Sequence, residues 1–556
     1  MKYLISYEQP QNHFIDFELK VNVDHRNIID LQLPAWRPGR YELANFAKNI
    51  KDFRVFDGDN NPLIFEKINK DSWRVNCTKV EYIIVNYSYY AAELNAGSTY
   101  LNFDQLYINP VNCMMYVVGE DDLDFEIDFQ LPKGFKIYSS LKKKNNHCLS
   151  ATNFDQLADS PIIASSSLQN KKMVIDGVDF HFCFQGEIKI DWKRVEIDFK
   201  KFSSYQINKF GGFPHNEFYF LFQITPYKSY HGVEHHKSTV ILLGSSYDVF
   251  SKLYNEFLGI SSHELYHVWN VKSIRPLDMK PYDFSKENYT NLGYVTEGVT
   301  TYMGDRILYE SGVFSLKDYF KELETLLSRH YHNDGRNHYS VSESSWDTWL
   351  DGYVAGSPGR KVSIYVEGAL IAMICDAKIR MHTNSEKSLH DVMKGLYSGS
   401  DQETAYDKSD YKNMLEKVSG SDFNEIFDNL IYNTTDFTKY LKKAFNVFGW
   451  EYENIPSENL SFRNGFKVSV QAGKLVVLSV LEKSSGYYSG LAPGDKLISI
   501  NGYAINNDLN SWLNYFKNES VILSVERDSI ITVVELEKIN DNQYFTYKVK
   551  EIDERI

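Results

Sequence analysis

Ile15-Asp16-Phe17-Glu18-Leu19-Lys20-Val21-Asn22-Val23 alternates apolar and polar side chains throughout. A period of two puts one face of a strand in a core and the other in water, as antiparallel sheets require. Leu123, Phe125, Ile127, Phe129 and Leu131 repeat the pattern, and Asp57-Gly58-Asp59-Asn60 supplies a turn signal. Residues 1–170 are therefore expected to form an N-terminal β-sandwich. Strand character continues through Val178, Phe180, Phe182 and Phe184, then Phe218–Ile224 and Thr239–Leu243. From about residue 248 to 450 the apolar positions fall at helical spacing, as in Tyr365, Ala369, Ala372, Met373 and Ile379. A sheet followed by a helical block is an α+β domain, placed at 171–452. The polar stretch Glu451–Leu460, with Pro456, reads as a linker. Short strands return at Leu475–Val480, Lys496–Ile500, Val521–Val525 and Ile531–Leu536, with a helix-like piece near Leu509–Phe516, so a small third domain is expected at 460–545.

The 556 residues contain 43% hydrophobic and 24% charged side chains, which suits soluble domains with real cores. Sixty Lys and Arg face 74 Asp and Glu, and a net charge of -14 repels phosphate backbones, so nucleic-acid binding is not expected. The basic run Lys142-Lys143-Lys144 reads as a solvated loop. No stretch has the roughly 18 to 20 consecutive apolar residues of a bilayer span. The first residues lack the apolar segment of a signal peptide. The five cysteines, Cys77, Cys113, Cys148, Cys183 and Cys375, are scattered and never form a Cys-x-x-Cys pair. Both features point to the cytoplasm, although a trimmed leader would leave the same chain.

Chemistry concentrates in His263-Glu264-Leu265-Tyr266-His267. Four residues advance a helix by about 400°, so the two imidazoles stand about 40° apart and one turn apart, able to share one Zn²⁺. Glu264 lies beside them, near enough to take a proton from a water held there. Tyr254, Phe257, Leu258 and Ile260 before, and Leu265, Val268 and Trp269 after, make this helix too apolar for a surface. A buried histidine pair needs hydrogen-bond partners or a metal. Hydrolytic zinc takes three protein ligands and a water. Glu297, in Val295-Thr296-Glu297-Gly298-Val299-Thr300-Thr301-Tyr302, is the candidate third; spacing alone leaves open that it only caps a helix dipole.

His263 to Lys272, followed by Ile274-Arg275-Pro276 and Thr296-Glu297-Gly298-Val299-Thr300, closely resembles the glycyl aminopeptidase family of zinc peptidases, which belongs with the thermolysin-like gluzincins and often carries a PDZ domain. Leu33-Pro34-Ala35-Trp36-Arg37-Pro38-Gly39-Arg40-Tyr41, Gly232-Val233-Glu234-His235 and Ser363-Ile364-Tyr365-Val366-Glu367-Gly368-Ala369-Leu370 extend the resemblance over nearly the whole chain. It implies a thermolysin-like catalytic domain with one Zn²⁺ on His263, His267 and Glu297. It also implies Glu264 as general base, Tyr365 as oxyanion donor, and Gly232 and Glu234 in the loop that holds a substrate's free α-amino group. Small first residues, Gly or Ala, are the implied preference. His231 departs from the family, which usually has glycine there, and Ile364-Tyr365 stands where the family typically shows a Tyr-Tyr pair, Tyr365 aligning with the second tyrosine. Ser489 to Gly502 resembles the turn and strand of PDZ domains in bacterial proteases, implying capture of peptide C-termini. Arg463-Asn464-Gly465-Phe466 is a weak candidate carboxylate loop, and a domain that only packs or caps the cleft stays open. His330, His332 and His338 lie in a polar stretch and are expected to face solvent. Two alternatives remain: an endopeptidase, which needs a cleft open beyond Glu234, and a catalytically silent PDZ-containing binding protein.

Overall fold

The computed structural model describes residues 1–120, 123–351, 356–397, 404–538 and 542–552. It is a multidomain α+β chain with a β-rich N-terminal domain followed by a largely helical part, and it divides into two compact units. The first unit comprises Met1–Leu316, Ser340–Ser357 and Ser363–Asn433.

At the N-terminus a seven-stranded sheet and two four-stranded sheets share one core. Strand Phe14–Asn22 buries Ile15, Phe17, Leu19 and Val21 and turns Glu18, Lys20 and Asn22 outward, the two faces its alternation predicts. Each such apolar side chain contributes roughly 1.5 to 3 kcal/mol. Leu31, Trp73 and Val75 come from the second sheet and Leu106, Ile137 and Ile162 from the third. The lysine run is an exposed strand, Lys142–Asn145, at the end of the seven-stranded sheet rather than a loop. Lysines there deter pairing with another chain.

A five-stranded sheet follows, in the order Gln169–Ile175, Val178–Gln185, Glu217–Thr225, Ser238–Gly244, Ser229–Glu234. Val178–Gln185 and Glu217–Thr225 are parallel, so a crossover is required, and helix Trp192–Phe210 provides it. Asp191 caps its start through the Arg194 N–H, and Gly211, at φ 83°, ends it. Phe199 packs edge-on against Phe182 and Phe220 of the sheet. Ser229–Glu234 is the last strand and pairs antiparallel with Ser238–Gly244, and among the described residues no strand pairs with its other edge. Helices Tyr254–Tyr266, Thr300–Glu310 and Ile364–His382 complete this part.

The second unit comprises Lys317–Tyr339, Pro358–Val362 and Thr434–Ile556. Its six-stranded sheet, with helix Leu509–Tyr515, encloses Phe466, Val477, Leu497, Ile500, Leu523 and Val525. Gly490 (φ 80°) and Gly494 (φ 94°) make the turns that lead into strand Lys496–Ile500. Two expectations fail here. Residues read as a linker form strand Trp450–Ile455, paired with Thr546–Glu551; most of its side chains face water in a two-stranded ribbon, hence the polar sequence. His330 is buried and stacked on Phe437 with ring centroids 4.9 Å apart, and the His332 Nε2 lies 2.7 Å from the Phe545 carbonyl; His338 is exposed. Among the described residues no helix is long and apolar enough to cross a membrane.

Candidate active site

His263 and Glu264 lie in the last turn of helix Tyr254–Tyr266, and His267 caps its end. The Nε2 atoms of His263 and His267 stand 3.1 Å apart. Glu297 Oε2 is 3.7 Å from His263 Nε2 and 3.4 Å from His267 Nε2. These three groups offer donor atoms all within 4.8 Å of one another, a cluster able to hold a metal ion. His267 Nδ1 sits 3.0 Å from the Asn270 carbonyl, which can only accept, so Nδ1 carries a hydrogen and Nε2 is the nitrogen turned to the cluster.

Glu297 reaches the cluster through backbone contact. It rides on a wide π-helical turn, Tyr294–Val299, of the kind that recurs at functional sites. A Cβ on Gly298 would fall 2.3 Å from Gly368 Cα, and one on Gly368 would fall 2.7 Å from Gly298 Cα. Only glycine at both Glu-Gly steps lets this turn lie directly on helix Ile364–His382. Tyr365, in the first turn of that helix, consequently has its ring beside His263, with centroids 6.5 Å apart. Asn270 fastens the same turn from the other side, because its Nδ2 donates to the Val295 and Thr296 carbonyls and to Thr300 Oγ1.

Glu234, Glu264 and His267 form a second convergent group within 4.8 Å. Gly232 lies so close to Glu264 that a Cβ would meet its Oε1 at 2.1 Å. Glu234 and Glu264 are both 5% exposed, and each keeps one carboxylate oxygen buried without a hydrogen-bond partner among the described residues. Burial pushes the Glu264 carboxyl well above the usual carboxylate range; His267 opposes this, while Glu234 and Glu297 add to it. Burial acts the same way on Glu297, but the two imidazoles outweigh it and hold that carboxyl down. Burial disfavours the charged form of His267, yet Glu297, Glu234 and Glu264 together raise its affinity for a proton. All the predicted site residues thus lie together, and Gly232 and Glu234, expected in a loop, lie at the end of the edge strand Ser229–Glu234 instead.

Sequence reading missed three contributors from the N-terminal domain. Gly39, at φ 77°, packs on Glu234, where a Cβ would fall 2.6 Å from Oε2. Arg37 is buried beside the edge strand, with Nη2 3.5 Å from His231 Nε2. Asp159 accepts from Lys272 Nζ at 3.1 Å, pairs with His235 Nδ1 at 2.9 Å and accepts the His236 N–H at 2.9 Å, tying the strand end to the chain beyond His267. The loop quoted from Leu33 to Tyr41 was the one available signal, and nothing marked Asp159.

Two imidazoles and a carboxylate beside a buried glutamate are a donor set of the kind metallopeptidases use. A family model for the Peptidase M61 N-terminal domain matches residues 2–166, and one for the M61 glycyl aminopeptidase matches residues 256–371, about half of the chain between them. The chain belongs to the M61 glycyl aminopeptidase family. An aminopeptidase N family protein from Idiomarina loihiensis is similar over 99% of this chain and 98% of its own, with a TM-score of 0.92 and 26% identity. An M1 zinc metallopeptidase from Deinococcus radiodurans is more distant, at TM-score 0.47 and 10% identity over 78% of this chain and 94% of its own. Comparison with curated proteins returns no match.

Proposed function

We propose that the chain is a zinc-dependent aminopeptidase that removes small first residues, Gly or Ala, from peptides. His263, His267 and Glu297 would hold one Zn²⁺, since two imidazole nitrogens and a carboxylate are a ligand set of hydrolytic zinc sites. Bound there, the ion acts as a Lewis acid on the scissile carbonyl and makes water a better nucleophile near neutral pH. Glu264 takes a proton from the attacking water and returns it to the leaving amine; its raised proton affinity suits that shuttle. Tyr365 donates its hydroxyl to the oxyanion that forms on the carbonyl.

The carrying observation is Glu234. A carboxylate with a buried, unpartnered oxygen beside the general base calls for a cationic donor, and a peptide's α-ammonium supplies one in a charge-assisted hydrogen bond. Gly39 stands against that carboxylate, where an endopeptidase would need open space for residues preceding the cleaved bond. The preference for Gly or Ala rests on family membership. Assay of a free-amine peptide beside its N-acetylated twin is the test: an aminopeptidase cleaves the first only, and equal cleavage of both would refute the role of Glu234.

For the domains we propose residues 1–170 as the sandwich, 171–452 as the thermolysin-like catalytic domain and 460–545 as a PDZ domain. The glycine turns before Lys496–Ile500 and the sheet-plus-helix core support the last. Binding of C-terminal peptides to the full chain, measured by fluorescence anisotropy, tests it.

A further inference from the structure

Glu234 ends strand Ser229–Glu234, whose one described neighbour in the sheet is Ser238–Gly244. Side chains alternate along a strand, so Gly232 and Glu234 face Glu264 and His267 while Val233 points the other way, into a cluster with Ala96, Tyr107 and Ile163 of the N-terminal domain. Glu234 keeps a carboxylate oxygen buried without a partner among the described residues, so the backbone has to place it. A binding group must be held to within about 0.5 Å. A strand end paired on one side needs a second anchor to meet that.

Asp159, directly after the short helix Phe154–Ala158, supplies it. Burial raises this carboxyl, but Lys272 and His235 outweigh it and keep it ionised. A carboxylate only accepts, so His235, 2.9 Å from Oδ1, carries its hydrogen on Nδ1. The His235 Nε2 is buried without a partner among the described residues, which leaves the Asp159 contact to orient the ring. The next residue, His236, gives its backbone N–H to Oδ2 at 2.9 Å. Asp159 thus grips the two residues that follow Glu234. Its two oxygens also accept from buried Lys272 Nζ at 3.1 Å each, and the Lys272 N–H donates to the His267 carbonyl at 3.1 Å. One carboxylate therefore joins the strand that carries Glu234 to the segment that follows His267. The spacing matters chemically: within one residue the α-nitrogen and the carbonyl carbon are only about 2.5 Å apart. Glu234 and His267 offer donor atoms within 4.8 Å of each other.

We propose that Asp159 is the positioning residue for recognition of the substrate's amino end: through His235, His236 and Lys272 it fixes Glu234 one residue's length from the metal cluster. This rests on the aminopeptidase reading of the same site. Asp159 touches neither substrate nor metal ligand, and its effect on binding passes through Glu234.

The test measures, by calorimetry on the full-length zinc-loaded protein, the binding of alanine hydroxamate and of propionohydroxamate, which differs only in lacking the α-amino group. The ratio of the two dissociation constants reads amine recognition, whereas damage to the fold or to the metal centre weakens both ligands alike. Wild type is expected to bind the amino compound about tenfold or more tightly, the size of one charge-assisted contact. In Asp159→Ala and His235→Leu the ratio falls toward one. In His235→Asn, whose Nδ2 can donate to Asp159 from the place of Nδ1, it stays near wild type. His235→Leu leaves Lys272 paired with Asp159, so it decides if Asp159→Ala does not fold. An unchanged ratio in folded Asp159→Ala or His235→Leu, or a ratio in His235→Asn as low as in His235→Leu, overturns the proposal and leaves the aminopeptidase reading standing. A ratio near one in wild type would instead overturn the role of Glu234, and this proposal with it.

Discussion

Replacing Gly298 by Ala tests how the second half of the metal cluster is positioned. The added methyl would lie 2.3 Å from Gly368 Cα, and both atoms belong to backbone regions, so no side chain can rotate away. A carbon contact needs about 3.5 Å, so the π-helical turn and helix Ile364–His382 must separate by roughly 1 Å. Overpacking of this kind costs about 1 to 3 kcal/mol. The better helix propensity of Ala offsets about 1 kcal/mol of it, so Tm should change only modestly. Activity is the more sensitive reading. Glu297 and Tyr365 sit on opposite sides of this contact, and a misplacement of about 1 Å costs on the order of a hundredfold in rate. Calorimetry, metal analysis and kcat/KM on alanine p-nitroanilide, run on one preparation, separate the effects. A folded Gly298→Ala protein with wild-type metal affinity and turnover would refute the reasoning.

Three further outcomes are expected. Asn270→Ala leaves the Val295 and Thr296 carbonyls and Thr300 Oγ1 without this donor, so metal affinity measured by chelator competition should fall about 10- to 100-fold. Asp159→Asn strands buried Lys272 and should cost about 3 to 5 kcal/mol by denaturant unfolding. Burial raises the Asp159 carboxyl, but Lys272 and His235 outweigh it and hold it well below the usual carboxylate value; its stabilisation is therefore complete above about pH 4 and is lost as pH falls further. Wild-type Tm should drop more steeply than that of Asp159→Asn on acidification below pH 4, and parallel acid limbs would contradict the pairing. Gly39→Ala, forced against Glu234 in a left-handed backbone position, should raise KM for free-amine peptides; an unchanged KM would remove Gly39 from the amino-end wall.

Local patterns carried most of what the sequence revealed. Ile15 to Val23 shows its buried face because strand side chains alternate with no help from distant residues, and His263, Glu264 and His267 are legible because one helical turn joins them. Glu297 was readable as a candidate, but its approach depends on Gly298 meeting Gly368, a contact between separate helices that neither Glu-Gly step announces alone. Arg37, Gly39 and Asp159 reach the site from far along the chain, and no periodicity encodes such contacts. His330 misleads in the opposite way: its neighbours are polar, yet it falls on the buried stripe of helix Leu316–Tyr331 with Tyr319, Leu323 and Leu327.

The most direct test of the metal centre is a titration of Zn²⁺ into chelator-stripped protein while hydrolysis of alanine p-nitroanilide is followed. Activity should rise from near zero and level off at one equivalent per chain. Full activity in the stripped protein, or a break at two equivalents, would contradict a single ion shared by His263, His267 and Glu297.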